Sequence, residues 1–327
     1  AEIPLKLQEL IATRIKILSR LRTDEHRAAQ DGKLKFDCDN KKIDVRVSIV
    51  PVVHGEKIVM RLMSEKSRQY DIETLGFRKE DLKIIKENIK RPWGMTLATG
   101  PTGSGKTTTL YSILKKLNKR EVNISTIEDP VEYDMDGINQ IQVNKKTDLT
   151  FSTGLRAIVR QDPDIIMVGE IRDEETAKIA INSAMTGHLV LSTLHTNDAG
   201  TTLPRLIDMG IQPFLVSSTI NIVVAQRLVR KICPKCGYKT TLNEEILKLL
   251  KKELSDELIK KYKLDDPNTQ FTYGKGCDAC NKTGYQGRLG IYEILQMNDE
   301  IKKLIMENAN ASTVQKKAIE MGMLPMI

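Results

Sequence analysis

Residues 100–107 have the composition and spacing to bind a phosphate group. They read G-P-T-G-S-G-K-T and match the phosphate-loop pattern G-x-x-x-x-G-K-[S/T] in full. Glycines in such a loop let backbone N–H groups surround phosphate oxygens, and the following helix points its positive dipole end at the same place. We expect Lys106 to reach the β- and γ-phosphates and Thr107 to place its hydroxyl on Mg²⁺. The predicted nucleotide-binding residues here are Gly100, Pro101, Thr102, Gly103, Ser104, Gly105, Lys106, Thr107 and Thr108.

Two further predicted strands end in acidic residues. One apolar strand leads to Glu170, and a parallel core strand would bring this carboxylate beside the nucleotide, near Mg²⁺ or the attacking water. The strand at 125–127 is followed by Glu128, Asp129 and Glu132. Carboxylates this close repel one another unless a cation or a bound water offsets them. These acids therefore either position Mg²⁺ and water or form a solvated acidic turn.

Two of the four histidines, His188 and His195, flank the apolar strand 189–194. In this position they could contact a phosphate or respond to its presence. The alternative is that each histidine is satisfied by hydrogen bonds within the fold.

Four of the five cysteines form two C-x-x-C pairs, Cys233 with Cys236 and Cys277 with Cys280. Four thiolates complete a closed tetrahedral Zn²⁺ site, which leaves no open position for chemistry. The spacing between the pairs is longer than in compact zinc ribbons. A predicted helical insert fills that interval, so we expect a structural zinc site and keep unrelated reduced thiols as the alternative.

The elements that must position these residues follow an alternating pattern. Strands are predicted at 95–99, 123–127, 138–143, 165–168 and 188–193, and helices fall between them at 106–117, 152–160, 173–186 and 198–208. Alternation of this kind predicts an α/β layer with a largely parallel sheet.

The rest of the chain reads as smaller units. A helical pattern at 5–22 followed by strands at 33–37, 42–50 and 57–63 predicts a small α+β domain. We place the domain boundaries as follows: an N-terminal domain at 1–65, a linker at 66–92, the phosphate-loop domain at 93–230, the cysteine subdomain at 231–290 and a helical region at 291–327.

Composition limits the class of protein. The chain has 327 residues, a net charge of +8 and 4% aromatic residues, and no apolar run approaches the roughly 18 residues that span a bilayer. The basic balance is compatible with nucleic acid, an anionic surface or phosphate ligands. Because the sequence begins at Ala1 within a helical pattern, we expect it to be a fragment of a longer protein.

Six segments resemble the ATPases of type II secretion and type IV pilus assembly, the GspE/PilB-like group. Their order along the chain is specific to this group and covers nearly all of it. The segments are TGPTGSGKTTTLY at 99–111, TIEDPVEY at 126–133, LRAIVRQDPDIIMVGEIRD at 155–173, TGHLVLSTLHTND at 186–198, QRLVRKICPKC at 226–236 and GRLGIYEIL at 287–295.

The resemblance implies a RecA-like core that hydrolyses ATP with Mg²⁺, a PAS-like N-terminal domain and a zinc-binding insertion. It implies a homohexamer in the cytoplasm, docked on an inner-membrane platform protein, that powers pilus assembly or type II secretion. It also implies that Arg46 and Arg61 are arginine fingers for the γ-phosphate, although a strand arginine is by default a surface ion pair. Glu170 is the expected general base, and Glu128 and Glu132 are expected to place water and Mg²⁺.

Two other functions are compatible with the same motifs. A nucleic-acid translocase or packaging motor would suit the basic charge and a zinc module, but scarce aromatic residues supply few platforms for stacking bases. A nucleotide-gated scaffold that hydrolyses ATP poorly is the other alternative.

Overall fold

The computed structural model describes residues 4–38, 41–63, 71–253 and 256–326. These residues divide into two compact units. The first ends at residue 70 and also includes 132–134, and the second contains the remainder.

The first unit is a helix packed on a three-stranded antiparallel sheet. Helix α1 (Gln8–Leu18) precedes strands β1 (Gln30–Cys38), β2 (Lys41–Val52) and β3 (Gly55–Met63), which lie in the order β1-β2-β3. Alternate residues of β2 are buried because successive side chains of a strand point to opposite faces. The core side chains are Leu34, Val45, Val47 and Ile49.

A seven-stranded sheet forms the centre of the second unit. Its strands, in chain order, are β4 (Gly94–Thr99), β5 (Ile124–Glu128), β6 (Asn139–Gln142), β7 (Ile165–Val168), β8 (Leu189–Leu194), β9 (Ile220–Ile232) and β12 (Tyr285–Gln296). They lie in the order β12-β9-β4-β8-β7-β5-β6, and every neighbouring pair is parallel except β12 with β9. The largely parallel sheet predicted from the alternating pattern is therefore confirmed.

Helices connect and cover these strands. Strands β4, β5, β7 and β8 are buried along their whole length, as expected for parallel strands that helices cover. The helices are α2 (Lys79–Asn88), α3 (Lys106–Leu117), α4 (Phe151–Val159), α5 (Glu174–Met185), α6 (Thr202–Asp208), α7 (Pro213–Thr219), α10 (Asp299–Met306) and α11 (Ala311–Glu320). None of the helices in the described part of the chain is long and apolar enough to cross a bilayer.

Strands β9 and β12 continue beyond the core as an exposed two-stranded arm, with residues 227–231 and 286–289 open to solvent. Between them the chain forms β10 (Gly237–Thr240), α8 (Glu244–Glu253), α9 (Asp256–Lys261) and β11 (Phe271–Gly274), and β10 pairs with β11. The two helices fall where the sequence predicts the helical insert. The arm therefore brings residues 233–236 and 277–280 together.

Polar contacts fix the segments that border the phosphate-loop helix. Lys86 and Lys116 both pair with Glu73, at 2.8 and 2.9 Å, and together they lower the pKa of Glu73 to about 2.

The buried Glu293 on β12 connects two distant parts of the chain. Its carboxylate accepts hydrogen bonds from the backbone N–H groups of Ala199 and Met326, at 3.1 and 2.8 Å. The loop that follows β8 is thus held by the carboxyl-terminal part of the chain.

Candidate functional site

The loop between β4 and α3 carries the phosphate-loop motif. Gly100, Gly103 and Gly105 have φ values of +145°, +78° and +91°, which L side chains rarely adopt. A Cβ atom added at Gly100 would lie 2.3 Å from the Gln226 carbonyl oxygen, so this glycine is required by close packing against β9. A Cβ atom added at Gly103 would meet nothing within 4 Å, so the loop presents its backbone to open space there.

Lys106 opens helix α3 and lies against the loop. Its Nζ donates to the carbonyl oxygens of Gly100 and Pro101, at 2.8 and 3.2 Å, and the residue is only 9% exposed. Burial lowers the pKa of this amine, and the charge of Glu170 opposes that shift. The loop therefore combines a glycine-lined backbone surface with one desolvated cation, a combination suited to binding an anion.

Gln226 on β9 supports the loop from behind. Its Nε2 donates to the carbonyl oxygen of Ser104 at 2.8 Å, and its side chain is buried. Nothing in the sequence placed Gln226 beside the loop, because the pairing of β9 with β4 joins segments far apart in the chain.

Four acidic and basic side chains meet at the carboxyl ends of neighbouring strands. Glu170 follows β7, and its two carboxylate oxygens contact Arg172 Nη2 at 2.5 Å and His195 Nε2 at 3.3 Å. Arg172 Nη1 lies 4.0 Å from Oδ2 of Asp129, which follows β5. The hydrogen bond to Glu170 raises the pKa of the Arg172 guanidinium. The structure thus places His195 beside Glu170, and Arg172 lies between Glu170 and Asp129.

Arg172 is a residue that the sequence reasoning missed. It lies two positions after the predicted acid at a strand end, and that spacing was the available signal. Its guanidinium links Glu170 to the neighbourhood of Asp129.

A hydroxyl pair joins the phosphate-loop strand to the segment that carries His195. The Oγ1 atoms of Thr99 and Thr196 lie 2.5 Å apart, and Thr196 N–H donates to Thr99 Oγ1 at 3.1 Å. Thr99 ends β4 and Thr196 directly follows His195. These hydrogen bonds therefore connect the end of β4 to the segment that carries His195.

Glu128 and Glu132 lie in different surroundings from Glu170, whose carboxylate contacts Arg172 and His195. Glu128 is 2% exposed, and its carboxylate accepts hydrogen bonds from Tyr111, Thr126 and Gln140. Glu132 is half-buried and lies in the 132–134 segment, which groups with the first unit.

His188 is not brought to the phosphate loop. It precedes β8, and its Nδ1 lies 2.9 Å from the carbonyl oxygen of Ser183. The loop follows the carboxyl end of β4, whereas His188 precedes β8, which runs parallel to β4. The six residues of β8 therefore separate His188 from the level of the loop by roughly 20 Å. His188 thus lies at the opposite end of the sheet from the phosphate loop.

Arg46 and Arg61 lie in the first unit as direct cross-strand partners. Lys33 on β1 is in register with Arg46, so three basic residues follow one another across the sheet. Like charges directly opposite each other are destabilising.

The four predicted metal-ligating cysteines form one cluster, with all Sγ atoms within 4.8 Å of one another. The Sγ separations are 4.0 Å for Cys233 to Cys277 and 3.8 Å for both Cys236 to Cys280 and Cys277 to Cys280. Four sulfur atoms about 2.3 Å from one zinc ion would lie about 3.8 Å apart, so the donor set fits tetrahedral Zn²⁺. Backbone N–H groups of Cys277 and Gly284 lower the pKa of Cys280, which favours its thiolate.

A buried strand, the GPTGSGKT loop and a helix in direct succession define the phosphate-loop class of nucleotide-binding folds. A family model described as "Type II/IV secretion system protein" matches residues 1–324. The chain belongs to this family, and the resemblance predicted from the motifs is confirmed.

Similar proteins with curated names come from secretion and pilus systems. The chain is 48% identical over 322 residues to the type IV pilus assembly ATPase PilB of Myxococcus xanthus, covering 98% of this chain and 55% of that protein. It is 47% identical over 311 residues to the type II secretion system ATPase E of Vibrio cholerae, covering 95% and 60%. The chain thus spans a little more than half the length of these relatives.

Solved structures share the fold. The crystal structure of the pilus retraction motor PilT with bound ADP superimposes with a TM-score of 0.62 at 26% identity, covering 92% of this chain and 76% of that one. The ATPase DotB of Legionella pneumophila gives a TM-score of 0.62 at 22% identity, covering 91% and 71%.

Proposed function

We propose that this chain is the ATP-hydrolysing part of a motor for type IV pilus assembly or type II protein secretion. The observation that carries the proposal is the meeting of two groups at the carboxyl ends of β4 and β7, which only β8 separates in the sheet. The glycine loop and Lys106 would bind the phosphates of Mg-ATP, and Glu170 lies close enough to Lys106 to influence its pKa. The names of the similar proteins support the same assignment.

Each residue of the site takes a specific role in this proposal. Residues 100–108 bind the phosphates through backbone N–H groups and the Lys106 amine, and Thr107 contributes a hydroxyl ligand to Mg²⁺. Glu170 accepts the proton of the attacking water, and Asp129, Glu128 and Glu132 arrange water and metal. His195 holds one Glu170 oxygen, which keeps the carboxylate in place.

The fold supports a finer assignment of the two units. The strand order, with β8 between the loop strand and the strand that leads to Glu170, supports a RecA-like core. The helix and antiparallel sheet of the first unit support a PAS-like domain. Arg46 and Arg61 would act there as arginine fingers, supplying fixed positive charge to the γ-phosphate in the ring.

The cysteine cluster supports one structural Zn²⁺ held by Cys233, Cys236, Cys277 and Cys280. The zinc would crosslink the far end of the arm, where β9 ends and β12 begins, to the neighbouring strands β10 and β11. It has no catalytic role here, because four sulfur ligands leave no position for substrate.

The family assignment supports a homohexamer in the cytoplasm, peripheral to the inner membrane through a platform protein. The alternative function, a nucleic-acid translocase, is favoured by the net charge of +8 and would also suit a zinc module. The proposed protein has an N-terminal domain at 1–65, a linker at 66–92, the phosphate-loop domain at 93–230, the cysteine subdomain at 231–290 and a helical region at 291–327.

The proposal is tested by phosphate release from ATP by the zinc-replete oligomer, with and without Mg²⁺ and with and without single-stranded DNA. We expect Mg²⁺-dependent release that DNA changes by less than about twofold, since the scarce aromatic residues supply few platforms for stacking bases. Strong stimulation by DNA would transfer the assignment to a translocase. Absence of Mg²⁺-dependent release would contradict an ATP-driven motor.

A further inference from the structure

A buried carboxylate cluster lies where strand β5 ends. Glu128, Thr126 and Tyr111 are 2%, 0% and 1% exposed. Tyr111 Oη donates to one oxygen of the Glu128 carboxylate. Thr126 Oγ1 donates to the other oxygen at 2.6 Å, and Gln140 Nε2 donates to the same oxygen at 3.2 Å.

The donors come from three different elements. Tyr111 lies on α3, Thr126 on β5 itself and Gln140 on β6, and Gln140 also lies 3.3 Å from Tyr111 Oη. A buried carboxylate is costly unless hydrogen bonds replace its water, and a network satisfied from several sides holds the group in one orientation. An apolar side chain at position 128 would fill the same space without needing these donors.

The position of Tyr111 on α3 connects this cluster to the phosphate loop. Residues four apart in a helix lie on the same face, so Tyr111 lies one turn beyond Thr107. Thr107 itself directly follows Lys106 at the start of the helix. The Tyr111 hydroxyl therefore connects α3, the helix that would bind Mg-ATP, to the Glu128 carboxylate at the end of β5.

We propose that Tyr111 is a positioning residue for the hydrolysis of ATP, which holds the Glu128 carboxylate in register with the phosphate-loop helix. This inference rests on the proposed function. Tyr111 would contact no substrate atom and would act on hydrolysis through Glu128. Thr126 acts in the same way on the second oxygen of the carboxylate.

The test compares steady-state ATP hydrolysis of the full chain in its oligomer with that of Tyr111→Phe, which removes only the hydroxyl. We expect kcat to fall about tenfold, because a misplaced catalytic group costs rate, and KM to stay within about twofold. Thr126→Val is expected to lower kcat in the same direction, and Thr126→Ser, which keeps the hydroxyl, is expected to restore it. The melting temperature of each variant is measured alongside.

Thr96→Val is the matched control. Thr96 is a buried threonine on β4, and among the described residues its hydroxyl has no hydrogen-bond partner. The same loss of a buried hydroxyl in the same sheet is expected to leave kcat unchanged. An equal loss of kcat in Thr96→Val would show that any buried hydroxyl matters, which overturns the inference.

A double-mutant cycle with Glu128→Gln separates positioning from packing. If Tyr111 acts through Glu128, Tyr111→Phe causes no further loss of kcat in the Glu128→Gln background. An undiminished loss in that background, an unchanged kcat in Tyr111→Phe, or a raised kcat would each overturn the inference. Absence of ATP hydrolysis by the parent chain would contradict the proposed function itself, so the two failures are distinguishable.

Discussion

Glu170→Gln is expected to lower kcat for ATP hydrolysis by about 10²- to 10⁴-fold, the usual contribution of a general base. Glutamine has nearly the same shape but cannot accept the proton of the attacking water. It can still accept hydrogen bonds from Arg172 and His195, which contact the two carboxylate oxygens. The affinity for Mg-ATP is therefore expected to stay within about threefold. Single-turnover hydrolysis and equilibrium binding of a fluorescent ATP analogue measure the two effects separately.

Glu174→Gln is the matched control for this substitution. Glu174 lies in the first turn of α5 with an exposed side chain that pairs with Lys178. The same chemical change there is expected to leave kcat unaltered. Unchanged turnover in Glu170→Gln would contradict the assignment of the base and would move it to the acids at 128–132.

Cys277→Ser is expected to remove zinc from the protein and to unfold the segment between residues 233 and 284. Zinc binding to small structural sites is worth roughly 10–16 kcal/mol in apparent free energy, far more than the short strand pair of β10 and β11 can supply. The expected zinc content falls from one ion per chain to near zero. Limited proteolysis is expected to cut within 233–284 at least tenfold faster than in the parent.

Cys38→Ser is the control for the zinc prediction, since Cys38 is the fifth cysteine and stands outside both C-x-x-C pairs. We expect it to keep one zinc ion per chain and the parent's resistance to proteolysis. Full zinc occupancy in Cys277→Ser would contradict a four-cysteine site. Zinc loss without faster cleavage would contradict its structural role.

The phosphate-loop region shows what sequence can establish. The helix predicted at 106–117 is α3 to the residue, because a complete motif fixes its start and the run of apolar positions fixes its extent. Strands β4, β5, β7 and β8 were found because short runs of β-branched and apolar residues recur between helical segments.

The sequence did not predict the exposed arm formed by β9 and β12, and the reason is physical. Strand β9 is buried only from 220 to 226 and is exposed from 227 to 231, so it lacks one consistent pattern along its length. Its partner β12 begins more than fifty residues after β9 does, beyond the reach of local rules. The neighbours of Gln226 could therefore not be read from the chain.

The candidate site was predicted in composition but not in contacts. The chain order placed Glu170, Asp129 and His195 at strand ends, and the sheet brings those ends together. The ion pair from Arg172 and the tyrosine on Glu128 depend on side-chain orientations that only packing determines. The position of His188 could have been predicted from the sequence. Ligands of open parallel sheets bind at the carboxyl ends of the strands, and His188 precedes its strand.

A nucleotide site at this loop can be tested by equilibrium binding of Mg-ATP to the zinc-replete oligomer, measured by calorimetry for the parent and for Lys106→Ala. We expect saturable binding by the parent and roughly 10- to 150-fold weaker binding by the variant, since a hydrogen bond to a charged group is worth about 1.5–3 kcal/mol. No measurable binding by the parent, or equal binding by the two proteins, would contradict a nucleotide site built on this loop.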